Sequence, residues 1–310
     1  VKALDSGSDQ VKLYAAAALA ILARNDNNRS LIEDIDGVFL KLVAALDSGS
    51  DQVKLYAAGA LEVLARNVEN KSIIEATKDI LKWVKALDSG SDQEKSEAAR
   101  ALAKLAFQNP KNSSIIGGID KVFLKLVAFL DSGSDQVKLY AAGALANLAV
   151  NDKNRSIIED IDGVFLKLVK ALDSGSEHVK SYAAGALANL AVNDNKRSII
   201  GSIDDVFLKL VTALDSGSDE VKSEAARALA QLTVKNDENS RIIGSIDDVF
   251  LKLVTALDSR SDQVKSEAAR ALANLAVNDK NSSIIGSING VFLKLVTALD
   301  SGSDQVKLYA

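Results

Sequence analysis

The chain has 310 residues, 47% hydrophobic and 25% charged, ample for a buried core. Its net charge of −5 gives no basic footprint for nucleic acid or an anionic membrane. It holds no cysteine, which excludes disulfides, thiolate chemistry and cysteine-based metal sites, and no methionine.

The start, "VKALDSGSDQ", has none of the apolar character of a signal peptide. No stretch reaches the roughly 18 apolar residues of a membrane span. The element "LDSGSD", or a close variant, begins at Leu4, Leu46, Leu87, Leu130, Leu172, Leu214, Leu257 and Leu299. The spacings are 42, 41, 43, 42, 42, 43 and 42. Length alone suggests two domains, but a fixed period of this size marks a stack of helical units. The expected organisation is one array: a partial repeat 1–24, repeats 25–66, 67–107, 108–150, 151–192, 193–234 and 235–277, and a partial repeat 278–310. One extra residue enters "FQNPKN" (107–112) and another "VKNDEN" (234–239). Both insertions are expected in a loop, where packing is little disturbed, and Pro110, the single proline, is placed there too.

Residues 151–192 illustrate one period. "RSIIEDI" (155–161) reads as a short first helix. "DGVFLKLVKAL" (162–172) reads as a second, with Asp162 as N-cap and Phe165, Leu168, Val169 and Leu172 at helical spacing. "DSGS" breaks it, with Gly175 free to take positive φ and Ser176 able to cap the next helix. The third helix, "EHVKSYAAGALANLAV" (177–192), starts acidic and carries the stripe Val179, Ala183, Ala186, Leu187 and Leu190. Its alanines permit close helix approach, and "ND" ends it with turn formers. A two-helix repeat is the competing reading; the break at "EDIDG" and the unequal lengths favour three helices.

These residues resemble armadillo repeats, over the whole chain. The likeness rests on the 42-residue period, on "GVFLKLVKAL" and on "ALANLA". "VNDNKRS" (192–198) is more weakly similar to plant cytosolic armadillo proteins. The resemblance implies an all-α, right-handed superhelix of three-helix repeats. One departure is Leu166, and its equivalents, where the family has proline early in helix two. Trp83, the only tryptophan, falls in helix two where other copies have Leu, and is expected in the core.

On the third helix, Tyr140, Gly143 and Asn147 lie at i, i+3 and i+7 and share one face, opposite the apolar stripe. Stacking of three-helix units places this face along a concave groove. In the resembled family the Asn position forms a ladder that holds the backbone of an extended peptide. A carboxamide offers one acceptor and two donors, enough for both the C=O and the N–H of one peptide residue. Packed helices stand about 8–10 Å apart. Two extended residues span roughly 7 Å, so about two peptide residues fall to each repeat on the tighter side. Each rung contributes about 1 kcal/mol.

That position reads Ile21, Val63, Lys104, Asn147, Asn189, Gln231 and Asn274 through the chain. Four residues earlier it reads Ala17, Gly59, Arg100, Gly143, Gly185, Arg227 and Arg270. Importin-α-like members often carry Trp there; its absence here argues against binding of nuclear-localisation signals. Three residues earlier again stand Tyr14, Tyr56, Glu97, Tyr140, Tyr182, Glu224, Glu267 and Tyr309. Every Glu copy has Arg three residues on, and no Tyr copy does. A helical i, i+3 Glu–Arg pair satisfies itself, whereas Tyr leans over a residue without bulk. Duplication of two parental repeat types is the alternative origin of this pattern.

The candidate peptide-binding groove is therefore Tyr140, Asn147, Tyr182, Asn189, Arg227, Gln231, Arg270, Asn274, Arg100 and Lys104, nearly neutral once Glu97, Glu224 and Glu267 are included. Tyr140, Asn147, Tyr182 and Asn189 make its most peptide-ready patch, since tyrosine supplies stacking area with a polar tip. No catalytic residue, metal ligand or cofactor site is expected. His178, the single histidine, sits in a first helical turn with no orienting partner and reads as solvated. "DSGSD" lacks the ligand pattern of a calcium loop. The Asn-x-Ser sequons at Asn28, Asn70, Asn112, Asn154 and Asn281 read as part of a repeated loop.

The expected function is a non-enzymatic scaffold for extended peptides, in the cytoplasm or nucleus, without nucleic-acid or membrane partners. The alternative is a structural or engineered array with no natural ligand; a third reading is the substrate-recruiting part of a larger ligase. Polar terminal caps are missing, so Val1, Leu4, Leu299 and Val306 are expected to be exposed. Such ends suit either a segment of a longer array or head-to-tail self-association.

Overall fold

The computed structural model describes residues 1–299 and 303–309; the side chains of Gln305 and Tyr309 and the last "DSG" lie outside it. The described residues form α-helices and one 3-10 turn, with no strand. Contacts group them into two compact units, Val1–Val122 and Phe123–Ala310.

The first unit holds α1 (Asp9–Leu22), α2 (Asp26–Glu33), α3 (Val38–Ala45), α4 (Asp51–Leu64), α5 (Val68–Ala86), α6 (Asp92–Gln108) and α7 (Pro110–Gly117). At the start of the second stand α8 (Val122–Phe129), α9 (Asp135–Leu148), α10 (Asp152–Glu159), α11 (Val164–Ala171) and α12 (Glu177–Leu190). They are followed by α13 (Asp194–Gly201), α14 (Val206–Ala213), α15 (Asp219–Thr233), α16 (Asp237–Gly244) and α17 (Val249–Ala256). The last are α18 (Asp262–Leu275), α19 (Asp279–Ser287), α20 (Val291–Leu299) and α21 (Asp304–Tyr309). The three-helix period is plain in the second unit, where α10–α11–α12, α13–α14–α15 and α16–α17–α18 repeat in order.

The third helices begin as the sequence predicts. Ser176 is extended at φ −93° and its Oγ accepts from the Val179 N–H at 3.5 Å. The serine two residues earlier, Ser174, accepts from the Ser176 N–H at 3.1 Å. This pair of serines, and not a left-handed glycine, turns the chain: Gly175 is not among the residues with positive φ. The left-handed position lies between helices one and two. Gly163 takes φ 73° at the head of α11, which displaces Asp162 from the expected capping role. Asp205 and Asp248 adopt the same conformation at φ 60° without glycine. First helices start earlier than the apolar pattern suggests, because the "ND" asparagine caps them. Asn151 Oδ1 accepts from the Asn154 N–H at 3.1 Å and opens α10 at Asp152. Pro110 likewise opens α7, after the cap Asn109, and is not in a loop; its missing N–H would be an orphan there in any case.

Packing follows the sequence stripe. Val179, Ala183, Ala186, Leu187 and Leu190 are fully buried, and Phe165, Leu168, Val169 and Leu172 are buried beneath them. In the second unit the third helices α9, α12, α15 and α18 pack side by side, with α21 against α18. Lysines of the second helices reach back to the aspartate of the preceding "LDSGS": Lys167 to Asp131 at 2.7 Å, and Lys209 to Asp173 and Lys252 to Asp215 at 2.5 Å. The aspartates are mostly exposed, so each pair adds about 0–1 kcal/mol.

A deeper connection joins first helices. Asn239 is buried at 3% exposure, and its Nδ2 donates to the carbonyls of Leu232 at 2.8 Å and Arg197 at 3.1 Å. Asn281 donates to Ser240 O at 3.0 Å. Gly201 and Gly244 make room: a Cβ at either would collide with the Asn239 or Asn281 carboxamide. Gly244→Ala is thus expected to destabilise by about 1–2 kcal/mol through overpacking, although Ala normally exceeds Gly in a helix by about 1 kcal/mol. Urea unfolding of the variant, and of Gly244→Ala with Asn281→Ala, checks this; the second change should relieve the clash. The sequon residues Asn70, Asn112, Asn154 and Asn281 are buried, in keeping with a structural role for the repeated loop.

The first unit departs from the regular period. The spacing of 41 between Leu46 and Leu87 removes one residue. "EATKD" (75–79) also lacks the glycine of "EDIDG" (159–163). With no left-handed break, helices one and two fuse into the 19-residue α5. Its buried stripe is Ile73, Thr77, Ile80 and Val84. Trp83 lies beside that stripe and is half-buried, not in the core as the sequence suggested. α6 packs chiefly on α5 and α7. The chain ends also differ from expectation: Leu4 and Val306 are buried and Val1 is half-buried, while Leu299 is exposed. Leu4 lies in the 3-10 turn Lys2–Asp5, which folds onto α1 and α3.

Candidate functional site

The face of interest is built from adjacent third helices in the second unit. Tyr140 and Asn147 on α9, and Asn189 on α12, are half-buried; Tyr182 on α12 is exposed. The Tyr182 ring leans over Gly143 of the preceding repeat, where an added Cβ would lie 3.3 Å from the ring. Gly185 plays the same part for the next repeat, below the Glu224 carboxylate and the Arg227 guanidinium. Gly143 and Gly185 thus each lie beneath a side chain of the next repeat, Tyr in one case and the Glu–Arg pair in the other.

The carboxamide rungs are tied into the stack. Asn189 Nδ2 donates to Ala146 O of α9 at 2.9 Å, and Asn274 Nδ2 donates to Ala230 O of α15 at 2.9 Å. Gln231 reaches Ala191 O at 3.4 Å. The next repeat adds an arginine. Arg227 Nη1 donates to Asn189 Oδ1 at 2.8 Å and Nη2 to Gly185 O at 3.1 Å, while Nε holds Glu224 at 2.8 Å. Arg270 repeats the arrangement, donating to Gln231 Oε1 at 2.7 Å and to Glu267 at 3.2 Å. A carboxamide has two N–H groups and two lone pairs on its oxygen. Asn189 thus keeps one of each for a ligand.

Glu267 is buried at 6% exposure. Burial raises its pKa above the ordinary 4.5, against the pull of Arg270 and Arg227, and Glu224 adds to the rise. A carboxyl raised in the folded state binds its proton more tightly folded than unfolded. Stability from this group is present at low pH and is lost as pH rises through the raised value. Glu267→Gln removes the titration. The stability of the parent relative to this variant should grow as pH falls from neutrality toward 4.5; a flat or opposite trend in thermal unfolding contradicts the assignment.

Arg100 and Lys104 belong to the first unit. They are exposed on α6 and share a cleft with Glu97, Ala101 and Trp83. Sequence reasoning missed Trp83 here; the 41-residue spacing between Leu46 and Leu87, one residue short at "EATKD", was the available signal. His178 is exposed. Among the described residues no three His, Cys, Asp or Glu side chains group to hold a metal ion. No single described helix is long and apolar enough to cross a membrane; the bent pair α19 and α20 passes by length and composition alone.

The sequence profile of the Armadillo-like family matches residues 119–291, more than half of the chain. The chain belongs to this family. No curated protein matches its sequence. Among solved structures, an engineered protein is 34% identical, with a TM-score of 0.68 over 99% of this chain and 75% of that one. A designed armadillo repeat protein is 28% identical, with a TM-score of 0.65 over 74% of this chain and 95% of the other. Another, solved in complex with the peptide (KR)4, is 28% identical with a TM-score of 0.63 over the same shares. This armadillo protein is therefore all-α and built of three-helix repeats, and its asparagine positions lie on third helices that stand next to one another.

Proposed function

We propose that this armadillo protein is a non-enzymatic scaffold that binds extended peptide segments along its third-helix face, docking first at Tyr140, Asn147, Tyr182 and Asn189. The observation that carries this reading is the Asn189 carboxamide. It is fixed by Ala146 O and Arg227, yet keeps one N–H and one lone pair. Tyr182 beside it offers a partly exposed ring for stacking. A similar designed armadillo protein is complexed with a peptide. The present face has little net charge, so the reading does not extend to basic peptides in particular.

A second reading has its own support: the Arg227–Asn189 and Arg270–Gln231 bonds also serve to join repeats. In that case the array is structural and has no ligand. Peptide-display selection against the whole chain separates the two. For any peptide selected, Asn147→Ala with Asn189→Ala should weaken binding about 30-fold, from two rungs of about 1 kcal/mol each. Unchanged affinity refutes the placement, and failure to select any peptide supports the structural reading.

A further inference from the structure

The cleft on the first unit has a composition unlike the rest of the protein. It measures about 490 Å³ and is lined by Trp83, Glu97, Arg100, Ala101 and Lys104. That volume falls within the roughly 300–1,000 Å³ of small-ligand sites. Glu97, Arg100, Ala101 and Lys104 recur at i, i+3, i+4 and i+7 on α6, so one helix face forms a wall. Ala101 leaves room between the longer side chains. Trp83 of α5 forms the apolar part, and Lys82 Nζ stands 4.8 Å from the centre of its ring. The cleft exists because α5 is continuous. Leu42, Leu168, Leu210 and Leu253, the counterparts of Trp83 in other repeats, are fully buried. The half-buried counterpart Leu295 lies in the last second helix, α20; among the internal repeats the fused helix brings this position partly to the surface.

Charge in the cleft opposes that of the chain. Arg100 and Lys104 line the cleft with one carboxylate, Glu97, and Lys82 stands over the Trp83 ring, in a protein whose net charge is −5. Glu97 is held on its own helix, accepting from Gln93 Nε2 at 3.1 Å. Two cations one helical turn apart, beside an indole, match a carboxylate on a short methylene stem. The acidic chain as a whole repels long polyanions.

We propose that this cleft anchors an acidic side chain of an extended peptide. The carboxylate lies between Arg100 and Lys104, and its methylenes pack on Trp83. The proposal rests, like the third-helix site, on a peptide ligand, but uses none of the same residues. The arginine fork and the lysine ammonium supply charge-assisted hydrogen bonds.

Trp83 is the only tryptophan, so intrinsic emission of the whole protein reports on this cleft directly. The probe is an acetylated, amidated peptide of alternating Glu and Ala, titrated at low salt. Controls are the Lys–Ala counterpart, free glutamate at equal carboxylate concentration, and single-stranded oligo(dT). A saturable emission change with the Glu–Ala peptide alone is expected. Arg100→Gln with Lys104→Gln should weaken it by about tenfold or more. Both side chains are exposed, so the fold should persist. Trp83→Leu, read by anisotropy of a labelled peptide, should also bind more weakly, with Leu the residue that other repeats carry. Asn147→Ala with Asn189→Ala should leave this binding unchanged, which separates it from the second-unit site. No response to the acidic peptide, an equal response to any control, or full affinity in the Arg100/Lys104 variant overturns the proposal.

Discussion

Asn239→Ala is expected to lower stability by about 2–3 kcal/mol, an effect out of proportion to one short side chain. The Asn239 carboxamide joins two carbonyls from different elements, Arg197 O of the preceding first helix and Leu232 O near the end of α15. Alanine leaves Leu232 O at a helix end without this donor in a buried setting, and buried unsatisfied groups cost about 1–3 kcal/mol each. The enlarged space above Gly201 adds to the loss. Asn195→Ala, at an exposed position in the first turn of α13, is the control and should stay within about 0.5 kcal/mol. Urea unfolding of both variants decides the matter. Equal stability would mean that the first-helix asparagines do not hold the repeats together.

Arg227→Ala should cost about 2 kcal/mol or more, because one guanidinium serves three partners. It bonds Glu224 within its own helix and Asn189 and Gly185 on the neighbouring one. Bonds to charged groups contribute about 1.5–3 kcal/mol. The informative quantity is coupling. A double-mutant cycle with Asn189→Ala should show an interaction of about 0.5–3 kcal/mol, as expected for side chains in one network. Additive losses would show that the Arg227–Asn189 contact is not a stabilising connection. Loss of Arg227 also removes one of the cations facing Glu267, so the Glu267 pKa should rise further in the variant.

The features that were legible in the sequence are local ones. The stripe from Val179 to Leu190 depends on spacing within one helix, and the cap at Ser176 on a side chain three residues from its donor. The break at "EDIDG" pointed to three helices per repeat, and helical spacing put Asn147 and Asn189 on the third; the family resemblance added the expectation of a peptide ladder. Features set by the next repeat were harder to read. The position of Trp83 follows from the fusion of α5, which turns on the absence of one left-handed residue. Gly143 and Gly185 looked like features of their own helices, yet each accommodates a side chain from the adjoining repeat. The rung asparagines looked open to a ligand, but Asn189 is already bonded on both sides, and only helix-to-helix distance reveals that. Burial of Leu4 was hidden for a similar reason, since the turn Lys2–Asp5 folds back on its neighbours.

The most direct test is a crystal structure of the whole chain bound to a display-selected peptide. An extended peptide should lie across α9 and α12, with its backbone N–H or C=O within hydrogen-bond reach of the Asn147 and Asn189 carboxamides and a side chain against Tyr182. A peptide seated instead on the first helices α10 and α13, with both asparagines untouched, would contradict the account.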